Sequence, residues 1–448
     1  MDERFVPSAN LSCPSVTGAY HFRNDTSQDL QDLAAVCLSG ERGLRRVVYA
    51  RFRVEILSPD SLIQRRNTEM TLRHLAASLL YFGLIAPLQA ELKFEVKLLK
   101  IDPNEACAIA DFNKDGVLDV SAGRSWYAGP DYAARPLREI GEFGKDYLKN
   151  NGEHAHDVDS DGWIDIVSGS FVEAEVFWYK NPGKEALDRG KLWSQKLLAK
   201  TAPKNEITYL HDIDGDGNPE YIANSWDMKN PQLLWKFIKK DKEVILDKCE
   251  IGGCNGHGIG FGDVNGDGRE DLLFGRGWYE RPEGDPFQAE WILREDWQWK
   301  HASCPMVVTD LNNDKRNDII YGNGHDYGVY WMEQLEPVDG KTQWKRHEID
   351  KEWSQAHAVA WIDIDGDGAN ELVTGKRVRG HSGRDPGANE KPAIYSYDWD
   401  PKALKFNRHL IADGVGTGLF IRSADLDGNG KMDLAVSGKT GTYLLFQK

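Results

Sequence analysis

Downstream of residue 90 the apolar positions come in short runs, rich in β-branched and aromatic residues and separated by polar, glycine-bearing stretches. Residues 344–349 (WKRHEI), 358–362 (AVAWI), 371–374 (ELVT) and 393–397 (AIYSY) form one such set. Aromatic fourth members recur at Phe177, Trp178 and Tyr179, at Trp278 and Tyr279, at Tyr330 and Trp331, and at Tyr443. No long stretch with a 3.6-residue period follows residue 90. Short runs of this composition, bounded by turn residues, predict strands rather than helices.

One spacer recurs seven times. The copies read DFNKDGVLD, DVDSDGWID, DIDGDGNPE, DVNGDGRED, DLNNDKRND, DIDGDGANE and DLDGNGKMD, and successive starts lie 46, 55, 51, 47, 53 and 62 residues apart. Oxygen-bearing side chains fall at positions 1, 3, 5 and 9. They are Asp111, Asn113, Asp115 and Asp119 in the first copy, then Asp157, Asp159, Asp161 and Asp165. The third and fourth copies supply Asp212, Asp214, Asp216 and Glu220, and Asp263, Asn265, Asp267 and Asp271. The last three supply Asp310, Asn312, Asp314 and Asp318, then Asp363, Asp365, Asp367 and Glu371, then Asp425, Asp427, Asn429 and Asp433. Alternating carboxylates on a tight turn converge hard oxygen ligands on one point, which is calcium chemistry.

EF-hands are the rival reading, and they fail on two counts. Position 12 should be Glu, yet it holds Ala122, Ser168, Ala223, Phe274, Tyr321, Thr374 or Val436. The flanks are strand-like instead of helical. Merely solvated acidic turns are the remaining alternative, strongest for the fifth copy, where Lys315 replaces Gly, and for the seventh, where Asn429 replaces Asp.

Four strand-like pieces per unit, repeated seven times at about fifty residues, is the pattern of a β-propeller, whose ring closure removes exposed sheet edges. The chain resembles the FG-GAP or VCBS repeat family of seven-bladed propellers, the architecture also found in the integrin α-subunit head. The resemblance covers about residues 92–448. Strings such as GHGIGFGD from residue 256 and GNGHDYG from residue 322 are similar to a secreted bacterial subgroup. The resemblance implies an all-β, seven-bladed propeller with a calcium-binding DxDxDG loop in each blade, up to seven Ca2+ in all. It also implies that the loops share one face, with the functional face opposite. Residues 92–99 should then close the ring as the outer strand of the last blade, against residues 441–447.

Composition sharpens this picture. The net charge is −16, and the seven acidic loops hold 25 of the 71 acidic residues. Seven Ca2+ ions would offset 14 of those charges, so the acidity reads as a metal requirement, and it argues against a nucleic-acid partner. Residues 70–90, MTLRHLAASLLYFGLIAPLQA, read as a secretory signal peptide cleaved near Ala90. The apolar run is too short to span a membrane. Residues 1–90 contain ten Arg and no Lys, unlike the rest of the chain. The expected organisation is a non-native, disordered extension over 1–69, a signal peptide over 70–90 and the propeller over 91–448. The mature protein should be an extracytoplasmic monomer, periplasmic or secreted. Cys249 and Cys254 lie close enough in sequence for a disulfide, whereas Cys107 and Cys304 should be buried thiols.

Six residues before each first Asp stand Glu105, Asn151, Glu206, His257, Cys304, His357 and Leu419. In equivalent blades these surround the mouth of the central channel. Turns on the same face add Arg124, Trp126, Trp226, Arg276, His325, Asp326 and Tyr327, and the loop carrying Lys376, Arg377, Arg379 and His381. Two chemistries suit such a pocket. His257 and His357 could hold a second metal such as Zn2+. Alternatively, His or Tyr could abstract a proton beside a carbonyl while Arg stabilises the oxyanion. The second would make the protein a carbohydrate-active carbon–oxygen lyase using His257, His325, Tyr327, His357, Arg377 and His381. Some polysaccharide lyases and the fungal aldos-2-ulose dehydratase have propellers that this chain looks like. The first expectation is a propeller that binds a carbohydrate or protein ligand, with Trp126 and Trp226 exposed to stack on sugars; the lyase or dehydratase is the alternative. P-loop, GxSxG, CxxCH and HExxH motifs are absent from the sequence.

Overall fold

The computed structural model describes residues 92–448, apart from positions 145, 172, 241 and 242, together with two short strands upstream. The chain divides into the units Met1–Gln89 and Ala90–Lys448. In the first, Leu33–Val36 pairs antiparallel with Val48–Arg51. The predicted extension and signal peptide otherwise lie outside the described residues.

The second unit is all-β, built from small antiparallel sheets. Five are four-stranded, one is eight-stranded, and a two-stranded hairpin joins Glu142–Phe143 to Tyr147–Leu148. The first four-stranded sheet runs Cys107–Ala110, Asp119–Ala122, Ser125–Ala128, Ala133–Pro136 in strict chain order. The eight-stranded sheet is two such meanders joined by a parallel contact of Gly260 and Phe261 with Met306 and Val307. The last sheet is completed from the other end of the unit. Phe94–Lys100 pairs antiparallel with Gly441–Gln447, Phe94 opposite Gln447, as the family resemblance implies for residues 92–99.

Both faces of each sheet are apolar, so neighbouring sheets bury them against each other. Val167 and Trp178 pack on Tyr221 and Trp235 of the next sheet. Within the eight-stranded sheet, Leu273 and Trp278 of one meander likewise meet Ile319 and Tyr330 of the other. The ring closes where Val120 and Tyr127 of the first sheet meet Ala435 and Leu444 of the last.

Every acidic segment joins the first strand of a meander to the second, and all seven have one backbone conformation. The residue at position 6 donates its N–H to the first Asp: Gly116 to Asp111 (2.9 Å), Gly217 to Asp212 (2.8 Å), Lys315 to Asp310 (2.9 Å) and Gly430 to Asp425 (2.9 Å) are examples. The position-9 carboxylate reaches back to the N–H at position 2, as Asp119 does to Phe112 (2.9 Å) and Glu371 to Ile364 (2.9 Å). Position 6 requires a left-handed backbone, with φ between 84° and 94° at its six glycines. Lys315 adopts φ 71° there, a conformation that costs a residue with a Cβ about 1–2 kcal/mol. Position 2 is an apolar anchor not singled out from the sequence. Phe112, Val158, Ile213, Val264, Leu311, Ile364 and Leu426 are all buried between their own sheet and the next.

The predicted Cys249–Cys254 disulfide is not formed; all four described cysteines are free thiols. The Cys249 thiol faces the Phe287 carbonyl at 3.4 Å and that of Cys254 the Tyr279 hydroxyl at 3.3 Å, so the two sulfurs point to different partners. Cys107 and Cys304 are buried, as expected. Among the described residues no helix is long and apolar enough to cross a membrane.

Candidate functional site

The end of the sheets opposite the acidic loops opens into a cavity of about 760 Å³. Its floor is set by residues just before or between strands. Glu206 and His357 lie at the starts of Asn205–His211 and Ala356–Ile362, His257 precedes Gly260–Gly262, and His325 lies in the turn before Tyr327–Val338. Small residues let these rings approach. A Cβ on Gly324 would fall 2.8 Å from the His357 ring, and one on Gly258 (φ 91°) 2.7 Å from the Ala302 side chain.

The four buried side chains converge. His357 Nε2 lies 2.9 Å from Glu206 Oε1, and His257 Nε2 and His325 Nε2 lie 3.6 and 3.9 Å from the same oxygen. The His257 and His325 Nε2 atoms are 3.0 Å apart. Their far sides are pinned: His257 Nδ1 contacts the Ala302 carbonyl at 2.9 Å and His325 Nδ1 the Asp385 carboxylate at 2.7 Å. Burial, reinforced by the Arg377 charge, pushes His357 down to about 4. Burial likewise drives His325 well below the usual histidine range, and both rings are neutral near pH 7. Burial alone would raise Glu206, but the proximity and hydrogen bonds of His257 and His357 hold it well below the carboxylate range.

Arg377 closes one side. It donates from Nε and Nη2 to Glu105 at 2.9 and 2.7 Å, and Lys439 Nζ adds a third contact at 3.0 Å. Burial opposes ionisation of Glu105, but Arg377 and Lys439 bring it down to about 2. Arg377 Nη1 is buried without a hydrogen-bond partner, 3.5 Å from Glu206.

The segment after Arg377 continues this wall. Arg379, His381 and Ser382 have φ of 56°, 45° and 58°, all left-handed. Such strain costs of order 1 kcal/mol per residue and persists only where surrounding contacts over-determine it. Here Asp385 supplies them: one carboxylate oxygen takes His325 Nδ1, and the other takes His381 Nδ1 at 2.7 Å. The two imidazoles stack 4.3 Å apart. His381 is half exposed to the cavity. The remaining wall is aromatic and basic, with Tyr147, Phe171, Trp226, Arg276, Trp299 and Lys300.

Of the six catalytic candidates, five meet here: His257, His325, His357, Arg377 and His381 line or floor the cavity. Tyr327 does not; its hydroxyl is engaged by Glu390 and it is no part of the lining. Trp126 is a correction. It lies inside the strand Ser125–Ala128, 2% exposed, packed with Tyr179 and Leu187, and is no sugar platform. Trp226, 40% exposed, does line the cavity. Arg124 is tied to Glu142 at 3.1 Å, while Asn151, Cys304 and Leu419 are buried. Asp385 and His301 were not legible as site residues. The only signal for Asp385 is its place four residues after His381 in a glycine-rich loop.

The strand arrangement and cavity are those of a propeller-type, all-β protein. The model of the FG-GAP-like repeat matches the chain twice, over residues 157–223 and 310–374. No curated protein sequence matches it. Among solved structures it is similar to the V. cholerae biofilm matrix protein Bap1, with 12% identity over 79% of this chain and 91% of that one, at a TM-score of 0.40. The exotype rhamnogalacturonan lyase YesX shares 11% identity over 80% of this chain and 74% of its own, at 0.41. The BP39L lectin from Burkholderia pseudomallei shares 10% over 78% and 96%, at 0.42.

Proposed function

We infer that this is an exported propeller of seven four-stranded blades, each with a calcium-binding loop, that takes a carbohydrate into the cavity on the opposite face. We further infer that it acts there as a carbon–oxygen lyase. The observation that carries the lyase reading is His381, half exposed on the cavity wall, with Nδ1 fixed 2.7 Å from Asp385. A carboxylate only accepts, so His381 donates through Nδ1 and keeps its Nε2 lone pair free as a base.

In the elimination, His381 takes the proton next to the sugar's carbonyl or carboxylate group. The electron pair left behind forms a carbon–carbon double bond, the neighbouring carbon–oxygen bond breaks, and the departing oxygen is protonated by water. Arg377 stabilises the negative charge that develops on the carbonyl oxygen. Trp226 and Trp299 offer faces for the sugar ring, and Arg276 and Lys300 suit an anionic one.

The acidic loops fit calcium by their donor sets. In the second, third and sixth copies three carboxylates bring oxygens within 4.8 Å of one another. Burial, then neighbouring carboxylates, pushes Asp165, Glu220 and Glu371 up to about 7 against the opposing backbone hydrogen bonds, a crowding of carboxylates that a cation relieves. A lysine stands in for that cation in the third loop, where Lys236 Nζ lies 3.0 Å from Asp214, 3.9 Å from Asp216 and 3.8 Å from Glu220. Calcium, when bound, would supply structural cross-linking only. Export rests on the signal-like segment 70–90.

The test is a screen of the calcium-loaded chain against uronate polymers and keto-sugars, following ultraviolet absorbance of unsaturated products. A rise with one sugar class supports the lyase. Retention of a glycan with no rise supports the second reading, a binding propeller, which the exposed Trp226 and Met228 on the cavity rim favour. Neither result removes the carbohydrate reading.

A further inference from the structure

We propose that Glu206, His257, His325 and His357 form a mononuclear site for a divalent first-row transition metal, with a coordination position open to the cavity. The proposal concerns the floor of the same cavity but needs no sugar, because metal binding is read directly. It extends the pair expected from the sequence, His257 and His357, to four ligands.

The geometry is that of a preformed cage. The four residues offer one donor atom each, all within 4.8 Å of one another. The measured separations among the three Nε2 atoms and Glu206 Oε1 are 2.9, 3.0, 3.6 and 3.9 Å. Donors at about 2.0–2.1 Å from a tetrahedral metal lie roughly 3.4 Å from each other. Three imidazoles and one carboxylate suit zinc and its first-row neighbours, whereas calcium prefers an all-oxygen set.

The proton count points the same way. A backbone carbonyl only accepts, so His257 Nδ1 donates to Ala302. Asp385 accepts from His325 Nδ1 in the same manner. The two Nε2 atoms face each other across 3.0 Å, on the side of each ring away from these partners, so a cation placed between them would be ligated by both. The Nδ1 partners are those that orient metal-bound histidines and fix their tautomer. Nor is the Glu206 charge fully neutralised by Arg377, whose two closer contacts go to Glu105. The four protein donors fill a tetrahedral shell, and because Glu206, His257 and His325 line the cavity, a substrate oxygen or water can add there as a fifth ligand.

The experiment is a zinc titration of the chelator-stripped full chain in millimolar calcium, which keeps the acidic loops occupied. We expect one Zn2+ per chain, and a Co2+ derivative with visible bands of low-symmetry nitrogen–oxygen coordination. Glu206→Gln and His257→Gln should each abolish stoichiometric binding. Asp385→Asn, which acts through His325, should weaken it about 10–100-fold. A variant that fails to fold is replaced by the Co2+ spectrum of the parent, which reports the ligand set without mutation. The proposal is overturned if no zinc binds in calcium, if binding survives both ligand variants, or if the Co2+ spectrum shows all-oxygen coordination. Zinc bound with no turnover on any sugar would leave the metal site standing and remove the lyase reading.

Discussion

The two faces of the sheets are built on opposite principles. On one, seven loops repeat a single design down to the hydrogen bond, position 6 N–H to position 1 carboxylate. On the other, equivalent positions hold unlike residues, and chemistry collects where the repeat is broken: Glu206, His257 and His357 at three ring positions, His325 in a turn, His381 and Asp385 in a loop without counterparts. Repetition distributes one loop design around the sheets. Departure from repetition gathers ionisable side chains in a single place.

If that division holds, the largest effect comes from the repeated face. Removing calcium should lower Tm by at least about five degrees, because each site filled at a hundredfold excess over its Kd adds about 2.7 kcal/mol. Scanning calorimetry with and without chelator reads this directly, and an unchanged Tm would leave the loops as solvated turns. The next effect breaks the simple form of the comparison. Arg377→Met should cost about 3–5 kcal/mol in urea unfolding, since it strips Glu105 of its bidentate partner and leaves a buried charge poorly paired. The cavity face therefore carries some stability of its own. A loss below about 1 kcal/mol would mean that Lys439 suffices for Glu105.

A smaller effect sharpens the cavity side. Trp226→Ala should weaken glycan binding by about 1 kcal/mol, roughly fivefold, with Tm unchanged, as calorimetric titration would show. The smallest belongs to the one loop that departs from its own rule. Lys315→Gly should raise stability by about 0.5–1 kcal/mol, because φ 71° suits glycine and strains lysine. A loss in urea unfolding would mean that the lysine side chain contributes more than its backbone costs.

The strands and acidic loops were legible because seven copies of one signal reinforce each other, and because a period-breaking Gly marks six of the seven turns. The pairing of 94–100 with 441–447 followed from the resemblance to FG-GAP or VCBS propellers, which implied that residues 92–99 close the ring. The site was half legible. Position in the repeat located Glu206, His257 and His357, and the turn located His325. Asp385 and His301 have no periodic counterpart, so only the folded loop brings them to the cavity. Trp126 misled because a strand begins at Ser125, one residue earlier than an exposed turn would need, and turns the indole between sheets. Tyr327 starts a strand whose register carries its hydroxyl to Glu390 instead.

The most direct test compares product formation by the parent and by His381→Ala on the sugar class that gives an unsaturated product, with Tm recorded on the same samples. General-base removal predicts a rate loss of about 10²–10⁴-fold at an unchanged Tm. An undiminished rate at the same Tm would contradict the assignment of the chemistry to this wall of the cavity.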